Sequence, residues 1–245
     1  MLRVGVIGCG YWGPNLVRNF SQLPESEVAA CADLDGNRLA RMDVLYPKIN
    51  KTKDYSELLA DDEISAIVVA TPPETHIKIA MDALNAGKHV FVEKPLATSS
   101  ADCESLLETA KKSNLTLMVG HTFVYTAAVK KIKDVIDSGE LGDILYINTT
   151  RVNLGIFQEH INVVWDLAPH DVSILNYILD GRPDEVSAHG HSYIRDGVED
   201  VAFLTFRYPG NILAHIHVSW LNPNKIRKTT VVGSKKMLVY DDVSS

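Results

Sequence analysis

Three glycines near the N-terminus have the spacing of a loop that binds phosphate. Gly8, Gly10 and Gly13 directly follow a short apolar run and stand where a helix would begin. Glycines permit a tight turn and a close approach of the backbone to a pyrophosphate, and the free N–H groups at the start of a helix can bind its negative charge. Because the flanking pattern is correct on both sides, the segment predicts a dinucleotide-binding loop rather than an ordinary turn.

An acidic residue supports this prediction and bears on the choice of cofactor. Asp33 lies twenty residues beyond Gly13, at the end of the second apolar run. A carboxylate there can accept hydrogen bonds from the ribose hydroxyls and would repel the additional phosphate of NADP. The prediction is therefore NAD, with NADP as the less favoured alternative because Arg38 lies nearby in the sequence. A methyltransferase also combines such a loop with an acid, and only the rest of the chain argues against it.

A lysine is placed where it could act on a substrate. Glu93, Lys94 and Pro95 directly follow the apolar run at residues 90–92. Ligands of open α/β sheets bind beyond the carboxyl ends of the strands, and a lysine there could stabilise negative charge developing on a hydroxyl. A solvated lysine at the end of a strand is an equally good interpretation of these three residues alone.

An acid and a histidine in the second half of the chain form a candidate proton-transfer pair. Asp166 and His170 are four residues apart, so on a helix they lie on one face and can form a hydrogen bond. A histidine oriented by a carboxylate can remove the proton of an alcohol near neutral pH. A helix-start aspartate beside a surface histidine remains the alternative.

Four further histidines and one cysteine are weaker candidates for functional residues. His189 and His191, and then His215 and His217, form two H-x-H pairs on predicted strands, where four imidazoles could bind zinc. A polar sheet face or an interface between copies explains them better, so no metal is predicted. Cys9 lies within the glycine loop and is interpreted as a small residue that fills a tight turn.

The first half of the chain has the alternation of elements that would position these residues. Short apolar runs at residues 4–7, 28–32, 66–70, 90–92 and 117–119 are nearly continuous in apolar character, as in parallel strands covered on both faces. Helical spacing separates them, with Pro14 at the start of one predicted helix and Gly87 at the end of another. This order predicts a doubly wound α/β Rossmann domain over residues 1–121.

The second half of the chain has a different pattern of apolar residues, which predicts a separate domain over residues 122–245. Helices are expected at residues 127–138 and 169–179. Residues 200–208 and 211–220 alternate between apolar and other side chains and are joined by the turn sequence Pro209-Gly210-Asn211. We therefore expect an α+β domain built on a largely antiparallel sheet.

Composition narrows the possible partners. The 245 residues carry 24 Lys and Arg against 31 Asp and Glu, for a formal charge of −7, which argues against binding to nucleic acid or to an anionic membrane. The three cysteines are odd in number and do not suggest a disulfide framework. Without a recognisable signal peptide or a long apolar run, we expect a cytoplasmic protein.

Taken together, several segments resemble one family. The glycine loop, the segment ATPPETH at residues 70–76, the run AGKHVFVEKPLA at residues 86–97 and the Asp166–His170 pair resemble the glucose–fructose oxidoreductase / inositol dehydrogenase / MocA family along the whole chain. The Glu-Lys-Pro segment is the most specific of these features.

This resemblance implies roles for individual residues. The cofactor would be contacted by Gly8, Gly10, Tyr11, Trp12, Gly13, Asp33, Thr71, Pro72, His76, Glu93 and Lys94. Lys94 would hold the reacting hydroxyl, and His170, positioned by Asp166, would exchange its proton. Tyr125, Arg151 and Asn153 would contact the substrate. The family also implies a homodimer or homotetramer assembled through the exposed face of the C-terminal sheet.

A narrower likeness concerns the substrate. Segments at residues 8–20, 151–155 and 164–171 look like the branch that oxidises the C3 hydroxyl of UDP-N-acetylglucosamine or a close relative. A dehydrogenase of a free polyol or sugar, and a non-catalytic NAD-binding regulator, remain the alternatives. Chains of this family usually continue with more strands and a closing helix, so we expect this chain to be truncated.

Overall fold

A computed structural model describes residues 1–155, 157–158 and 161–243. The chain divides into two compact units, Met1–Gly120 and His121–Ser245, and each is described by itself. The boundary lies one residue from the expected one.

The first unit is built on a six-stranded parallel sheet. Its strands are β1 (Leu2–Ile7), β2 (Ser26–Ala32), β3 (Asn50–Thr52), β4 (Ala66–Val69), β5 (His89–Val92) and β6 (Leu117–Val119). Their order in the sheet is β3-β2-β1-β4-β5-β6, and every neighbouring pair is parallel. The carboxyl ends of all six strands therefore lie at the same edge.

Helices connect these strands and cover the sheet. They are α1 (Gly13–Gln22), α2 (Gly36–Leu45), α3 (Ser56–Ala60), α4 (Pro73–Asn85) and α5 (Ser100–Lys112). Local sequence explains several of their ends. Pro14 lies in the first turn of α1, the Ser99 side chain accepts from the Asp102 backbone N–H at 3.1 Å to cap α5, and Gly87 adopts a positive φ of 75° just beyond α4.

Two apolar clusters form the core of the first unit, as expected for a sheet with both faces covered. One contains residues such as Ile67, Leu84 and Leu106, and the other contains Val6, Val17 and Met42 among others. Burial of these side chains provides the main force that stabilises the unit.

The second unit has its own sheet, which is largely antiparallel. It consists of β7 (Ile144–Leu154), β8 (Glu185–His191), β9 (Val201–Tyr208), β10 (Ile212–Ser219), β11 (Leu221–Gly233) and β12 (Met237–Asp241). The order is β12-β11-β7-β10-β9-β8, and only the β7–β10 pair is parallel. The predicted turn between β9 and β10 is present, with positive φ at Gly210 and Asn211.

Two helices, α6 (Ala127–Asp137) and α7 (Val163–Ile178), accompany this sheet. The expected start of α7 at Pro169 was wrong, because the helix begins six residues earlier. The Asn162 side chain caps it by accepting from the Trp165 N–H at 3.1 Å, and Pro169 lies inside the helix. The cap and a buried face outweigh the single backbone hydrogen bond that a proline removes.

The observed architecture confirms the predicted fold class, a parallel Rossmann sheet followed by an α+β domain. The sequence pattern missed the three-residue edge strand β3. Within the described part of the chain, no helix has the length and apolar character needed to cross a bilayer.

Candidate active site

The glycine loop leaves β1 in a conformation that requires glycine. Gly8 has a φ of 97°, and a Cβ atom at this position would lie 2.6 Å from the carbonyl oxygen of Ala70, the residue after β4. A Cβ at Gly13 would collide with the Gly8 carbonyl oxygen. The loop therefore folds tightly onto itself and onto the neighbouring strand.

The same loop presents an open surface at its tip. A Cβ at Gly10 would meet only the Arg38 side chain, at 3.6 Å, so the backbone here can be approached closely. Helix α1 has no side-chain hydrogen bond at its N-cap residue Trp12 and no acid in its first turn. Its N-terminal N–H groups are thus suited to a negatively charged ligand. Tyr11 and Trp12 are exposed beside them.

Asp33 lies directly beside the glycine loop. Its Oδ2 accepts a hydrogen bond from the Cys9 backbone N–H at 2.7 Å, and its Oδ1 accepts from the Asp35 N–H at 2.9 Å. The Arg38 guanidinium lies 3.4 Å from Asp33 and 3.6 Å from Asp35. Because Arg38 is paired with two carboxylates, its charge is largely neutralised, which favours NAD over NADP.

These observations fit a bound dinucleotide. The uncapped N-terminus of α1 provides the hydrogen-bond donors that a pyrophosphate requires, and the carboxylate at the end of β2 provides the acceptors that a ribose requires. The glycines of the loop keep side chains away from the backbone between them.

The segments after β4 and β5 are tied together by a buried histidine. The His76 side chain, on α4, is 1% exposed, with Nε2 2.8 Å from the Thr71 carbonyl oxygen and Nδ1 2.7 Å from the Pro95 carbonyl oxygen. Both ring nitrogens are therefore occupied by backbone groups. These contacts give His76 a bracing function between the two segments, and Thr71 and Pro72 are accessible at the same edge.

The Glu93-Lys94-Pro95 segment lies at the carboxyl end of β5, as predicted. The Lys94–Pro95 peptide bond is cis. Glu93 is 8% exposed, and burial raises the pKa of its carboxyl group, while a hydrogen bond with the Lys94 backbone and the Lys94 charge act in the opposite direction. Lys94 itself is half-buried and has polar interactions of its own.

In the second unit, Asp166 and His170 both lie on α7. The Trp220 indole N–H, contributed by the segment between β10 and β11, donates to Asp166 Oδ2 at 3.1 Å. The His170 ring contacts Phe123 edge to face, with centroids 4.9 Å apart. Both side chains are half-buried. The indole therefore fixes the Asp166 carboxylate, and the ring contact limits the orientations of the His170 imidazole.

The three residues expected to contact substrate differ in their accessibility. Tyr125 is 58% exposed and Asn153 is half-buried. Arg151 is buried and binds Asp171 through two hydrogen bonds, from Nε at 2.7 Å and from Nη2 at 3.2 Å, while its guanidinium lies 4.5 Å from the Phe123 ring centroid. This geometry gives Arg151 an internal role, joining β7 to α7.

The H-x-H pairs lie on the second sheet. His217 and His215 of β10 stack on Phe203 of β9, at centroid distances of 4.4 and 6.0 Å. Among the described residues, no group of three or more His, Cys, Asp or Glu side chains is arranged to hold a metal ion.

Sequence reasoning missed three residues that organise this unit. Trp220, Phe123 and Asp171 were not among the predicted site residues. Phe123 contacts both His170 and Arg151, and Asp171 neutralises Arg151. Trp220 is 54 residues from Asp166, so no local spacing could have indicated the hydrogen bond between them.

Comparisons with known proteins agree with this geometry. Residues 2–121 match the model described as "Oxidoreductase family, NAD-binding Rossmann fold", and residues 129–239 match "GFO/IDH/MocA C-terminal domain". A myo-inositol 2-dehydrogenase of Thermotoga maritima is 28% identical over 88% of this chain and 67% of that protein.

Two further relatives extend this result. An uncharacterized oxidoreductase of Streptococcus pneumoniae is 30% identical over 80% of this chain and 55% of its own length. The crystal structure of the WlbA dehydrogenase from Bordetella pertussis, in complex with NADH and UDP-GlcNAcA, superposes with a TM-score of 0.90 at 22% identity, over 99% of this chain and 74% of that one.

The chain spans 55%, 65% and 54% of the lengths of three curated relatives that it matches. Its first unit is an NAD-binding Rossmann domain, and both units match models of the same family. The chain belongs to the Gfo/Idh/MocA family of oxidoreductases.

Proposed function

We propose that the protein is an NAD-dependent dehydrogenase that oxidises a ring hydroxyl of a sugar, with C3 of a UDP-N-acetylhexosamine as the preferred position. One observation carries this proposal: the glycine loop, the Thr71 segment and Lys94 follow strands β1, β4 and β5, whose carboxyl ends share one edge of a parallel sheet. His76 ties the last two segments together. A reactive lysine therefore lies at the sheet edge that binds the cofactor.

Lys94 acts on the hydroxyl that is oxidised. Bound NAD would supply the hydride acceptor for the reaction. The Lys94 ammonium group donates a hydrogen bond to the substrate oxygen and stabilises the negative charge that develops as the hydroxyl loses its proton.

His170 accepts the proton of the hydroxyl. Asp166, fixed by the Trp220 indole, orients the imidazole on α7 and stabilises its protonated form. The edge contact with Phe123 restricts the rotation of the His170 ring. Proton transfer thus depends on residues of the second unit.

Two substrate classes are to be distinguished. The segments at residues 8–20, 151–155 and 164–171 resemble the nucleotide-sugar branch, and the WlbA structure was obtained with a UDP-sugar. A polyol substrate is the second candidate, because curated relatives at 27–28% identity are named inositol 2-dehydrogenases. The relevant difference is whether a site must accommodate a charged UDP group.

The outer face of the second sheet is the proposed surface for association with a second copy. It exposes apolar side chains from five strands, among them Phe203, Leu213, Tyr146 and Met237. A cavity of about 400 Å³ on this face is lined by Tyr146, Asn148, Leu213, His215 and other residues. A homodimer, or a homotetramer that contains it, would cover this surface.

The first test measures NADH formation when the purified protein is mixed with NAD and UDP-N-acetylglucosamine, myo-inositol or glucose. A carbonyl trap is included to remove the keto product. NADH with the nucleotide sugar alone supports the full proposal, and NADH with inositol alone selects the polyol alternative. NAD binding without NADH in any reaction would indicate a non-catalytic NAD-binding protein and contradict the proposal.

Replacement of Lys94 provides the test at the residue level. We expect Lys94→Ala to lower kcat on the order of 10²- to 10³-fold, because stabilisation of the developing charge is lost, with the NAD dissociation constant changed less than about twofold. Lys112→Ala serves as the control, since Lys112 is an exposed lysine in the last turn of α5, where it pairs with Glu108. Unchanged turnover in Lys94→Ala would show that this lysine has no part in the chemistry.

A further inference from the structure

Two cysteines lie together beneath the NAD-binding loop. Cys9 stands between Gly8 and Gly10, and Cys31 is the penultimate residue of β2. The two side chains belong to the same apolar cluster on one face of the sheet and are 4% and 0% exposed. Both are free thiols.

The register of the strands explains their proximity. Cys31 is paired with Val6 of β1, and the Gly8 N–H donates to the Ala32 carbonyl oxygen at 2.8 Å, so the chain after β1 stays alongside β2. The Cys9 thiol then points back toward β2, where it lies 3.9 Å from the carbonyl oxygen of Ala32, the residue after Cys31, within the apolar cluster that also contains the Cys31 side chain.

We propose that Cys9 and Cys31 form a redox-sensitive dithiol, which hydrogen peroxide converts into a disulfide that weakens NAD binding. The proposal concerns the NAD-binding unit alone and does not depend on the substrate proposed above.

The chemistry of the pair favours Cys31 as the attacking group. Interaction with Cys9 lowers the pKa of the Cys31 thiol, and the Lys51 charge acts in the same direction, although burial and Asp33 oppose the shift; interaction with Cys31 and burial raise the pKa of Cys9. The Cys31 thiolate attacks one peroxide oxygen and the O–O bond breaks, which gives a sulfenic acid on Cys31 and a hydroxide ion. The hydroxide ion takes up a proton and becomes water. The Cys9 sulfur then attacks the sulfenic sulfur, and the Cys9 proton leaves with the sulfenic oxygen as a second water. In total the two thiols lose two electrons and one peroxide is reduced to two waters.

The bond would deform the cofactor site because of the position of Cys9. A disulfide requires the sulfurs to approach to about 2.05 Å, which draws Cys9 toward β2. The Cys9 backbone N–H donates to Asp33, and Gly8 next to it lies so close to β4 that a Cβ there would be 2.6 Å from the Ala70 carbonyl oxygen. Movement of Cys9 therefore disturbs both the loop that receives the pyrophosphate and the carboxylate that receives the ribose.

Cofactor binding and oxidation should oppose each other. Because the thiols are buried, peroxide reaches them only when the glycine loop moves away from the sheet, and bound NAD holds the loop in place. Thermodynamic reciprocity then requires that a disulfide which weakens NAD binding be itself disfavoured by NAD.

The experiment exposes the purified chain to hydrogen peroxide with and without saturating NAD, maps the peptides by mass spectrometry and measures NAD affinity by calorimetry. We expect a linked Cys9–Cys31 peptide, about a tenfold rise in the NAD dissociation constant, protection by NAD and full reversal by dithiothreitol. Cys103→Ser should respond as the unchanged chain does, whereas Cys31→Ala should retain NAD affinity and lose the response.

Two results would overturn the proposal. One is oxidation of the more accessible Cys103 while Cys9 and Cys31 remain free thiols. The other is a linked peptide that leaves NAD affinity unchanged. Both are measured on the unsubstituted chain, so the outcome does not rely on whether Cys31→Ala folds.

Discussion

Burial of Glu93 makes the stability of the folded protein depend on pH. Its carboxyl group is buried, and burial raises its pKa above the ordinary value of 4.5. A carboxyl whose pKa is higher in the folded than in the unfolded state costs stability once the pH exceeds the unfolded value, since the folded state holds the proton more tightly. Between these two pKa values, rising pH therefore lowers the stability of the cofactor-free protein.

We expect Glu93→Gln to have separate effects on stability and on NAD binding. Without NAD at pH 7, the variant should have a melting temperature equal to that of the unchanged protein or about 2 °C higher, because a buried charge is removed. The difference should disappear below the unfolded pKa, where Glu93 is also neutral. The NAD dissociation constant should rise by about tenfold, because the charged group that the family resemblance places against the cofactor is lost.

Thermal unfolding and calorimetric titration across pH 4–8 check this prediction. In the unchanged protein, NAD affinity should fall as the pH decreases through the raised pKa of Glu93, and in Glu93→Gln this dependence should flatten. A variant that is less stable than the unchanged protein and binds NAD equally well would contradict both parts.

Some residues of the site could be predicted from the sequence and others could not. Asp33 was identified because its spacing from the glycine loop reflects the length of one β-α-β unit, and the structure puts it in contact with that loop. The bracing role of His76 was not predicted, since the Pro95 carbonyl group is brought to it only by the pairing of β4 with β5.

At the level of elements, the loop between β1 and α1 contains two glycines with different requirements. A Cβ at Gly10 would meet the Arg38 side chain at an ordinary contact distance of 3.6 Å, so Gly10→Ala should keep the melting temperature within about 2 °C of the unchanged protein. The added methyl group would occupy the surface that the pyrophosphate approaches, so NAD affinity should fall by at least about tenfold. Gly13→Ala should lose stability as well as affinity, because its Cβ meets the Gly8 carbonyl oxygen.

Thermal melts and NAD titrations of the two variants, measured side by side, distinguish these roles. If Gly10→Ala bound NAD as tightly as the unchanged protein, the pyrophosphate could not lie against this loop. An unaltered melting temperature for Gly13→Ala would show that the loop can rearrange.

The buried ion pair between Arg151 and Asp171 joins a strand to a helix. Burial raises the pKa of Asp171 and the Arg151 charge opposes this shift, so each partner depends on the other. We expect Asp171→Asn to destabilise the protein by about 3 kcal/mol, because it leaves a guanidinium buried without its counter-charge. The double variant Arg151→Met with Asp171→Leu should recover most of this loss.

Urea unfolding of the single and double variants measures how much of the lost stability is recovered. A double variant as unstable as Asp171→Asn would mean that the pair is required for its shape and not only for its charge balance. Surface pairs such as Lys112 with Glu108 are the reference, where a single replacement should cost less than about 1 kcal/mol.

Sequence patterns predicted the type of most elements but not every boundary. Pro14 and Pro169 were both interpreted as first-turn residues, which was correct for α1 and wrong for α7. A local pattern cannot show that the Asn162 cap and a buried helix face compensate for an internal proline. The edge strand β3 was missed because three residues are too few to display a period.

At the scale of the whole molecule, each unit has its own apolar core and its own sheet. The parallel sheet is covered on both faces, whereas one face of the second sheet is open. On that open face Phe203, Leu213 and Tyr146 are each 45–47% exposed, although they lie in the central strands and not at the edge. The sequence showed alternation in β9 and β10 but could not show that the outward residues of five strands would align.

This aligned surface leads to a prediction about assembly. Phe203 is stacked with His217 and His215 near its centre, so a lysine in place of Phe203 would bring a charge into any interface formed there. We expect the unchanged protein to sediment as a dimer or tetramer, and Phe203→Lys to dissociate into smaller species while retaining its melting profile at low concentration. Leu107→Lys, which places the same charge on an exposed apolar residue of α5 in the other unit, should leave the assembly intact. Analytical ultracentrifugation at micromolar concentration measures the oligomeric state of the unchanged protein and of both variants. A monomeric unchanged protein would mean that the open face serves another purpose, and equal dissociation of both variants would show that general charge, rather than this surface, controls association.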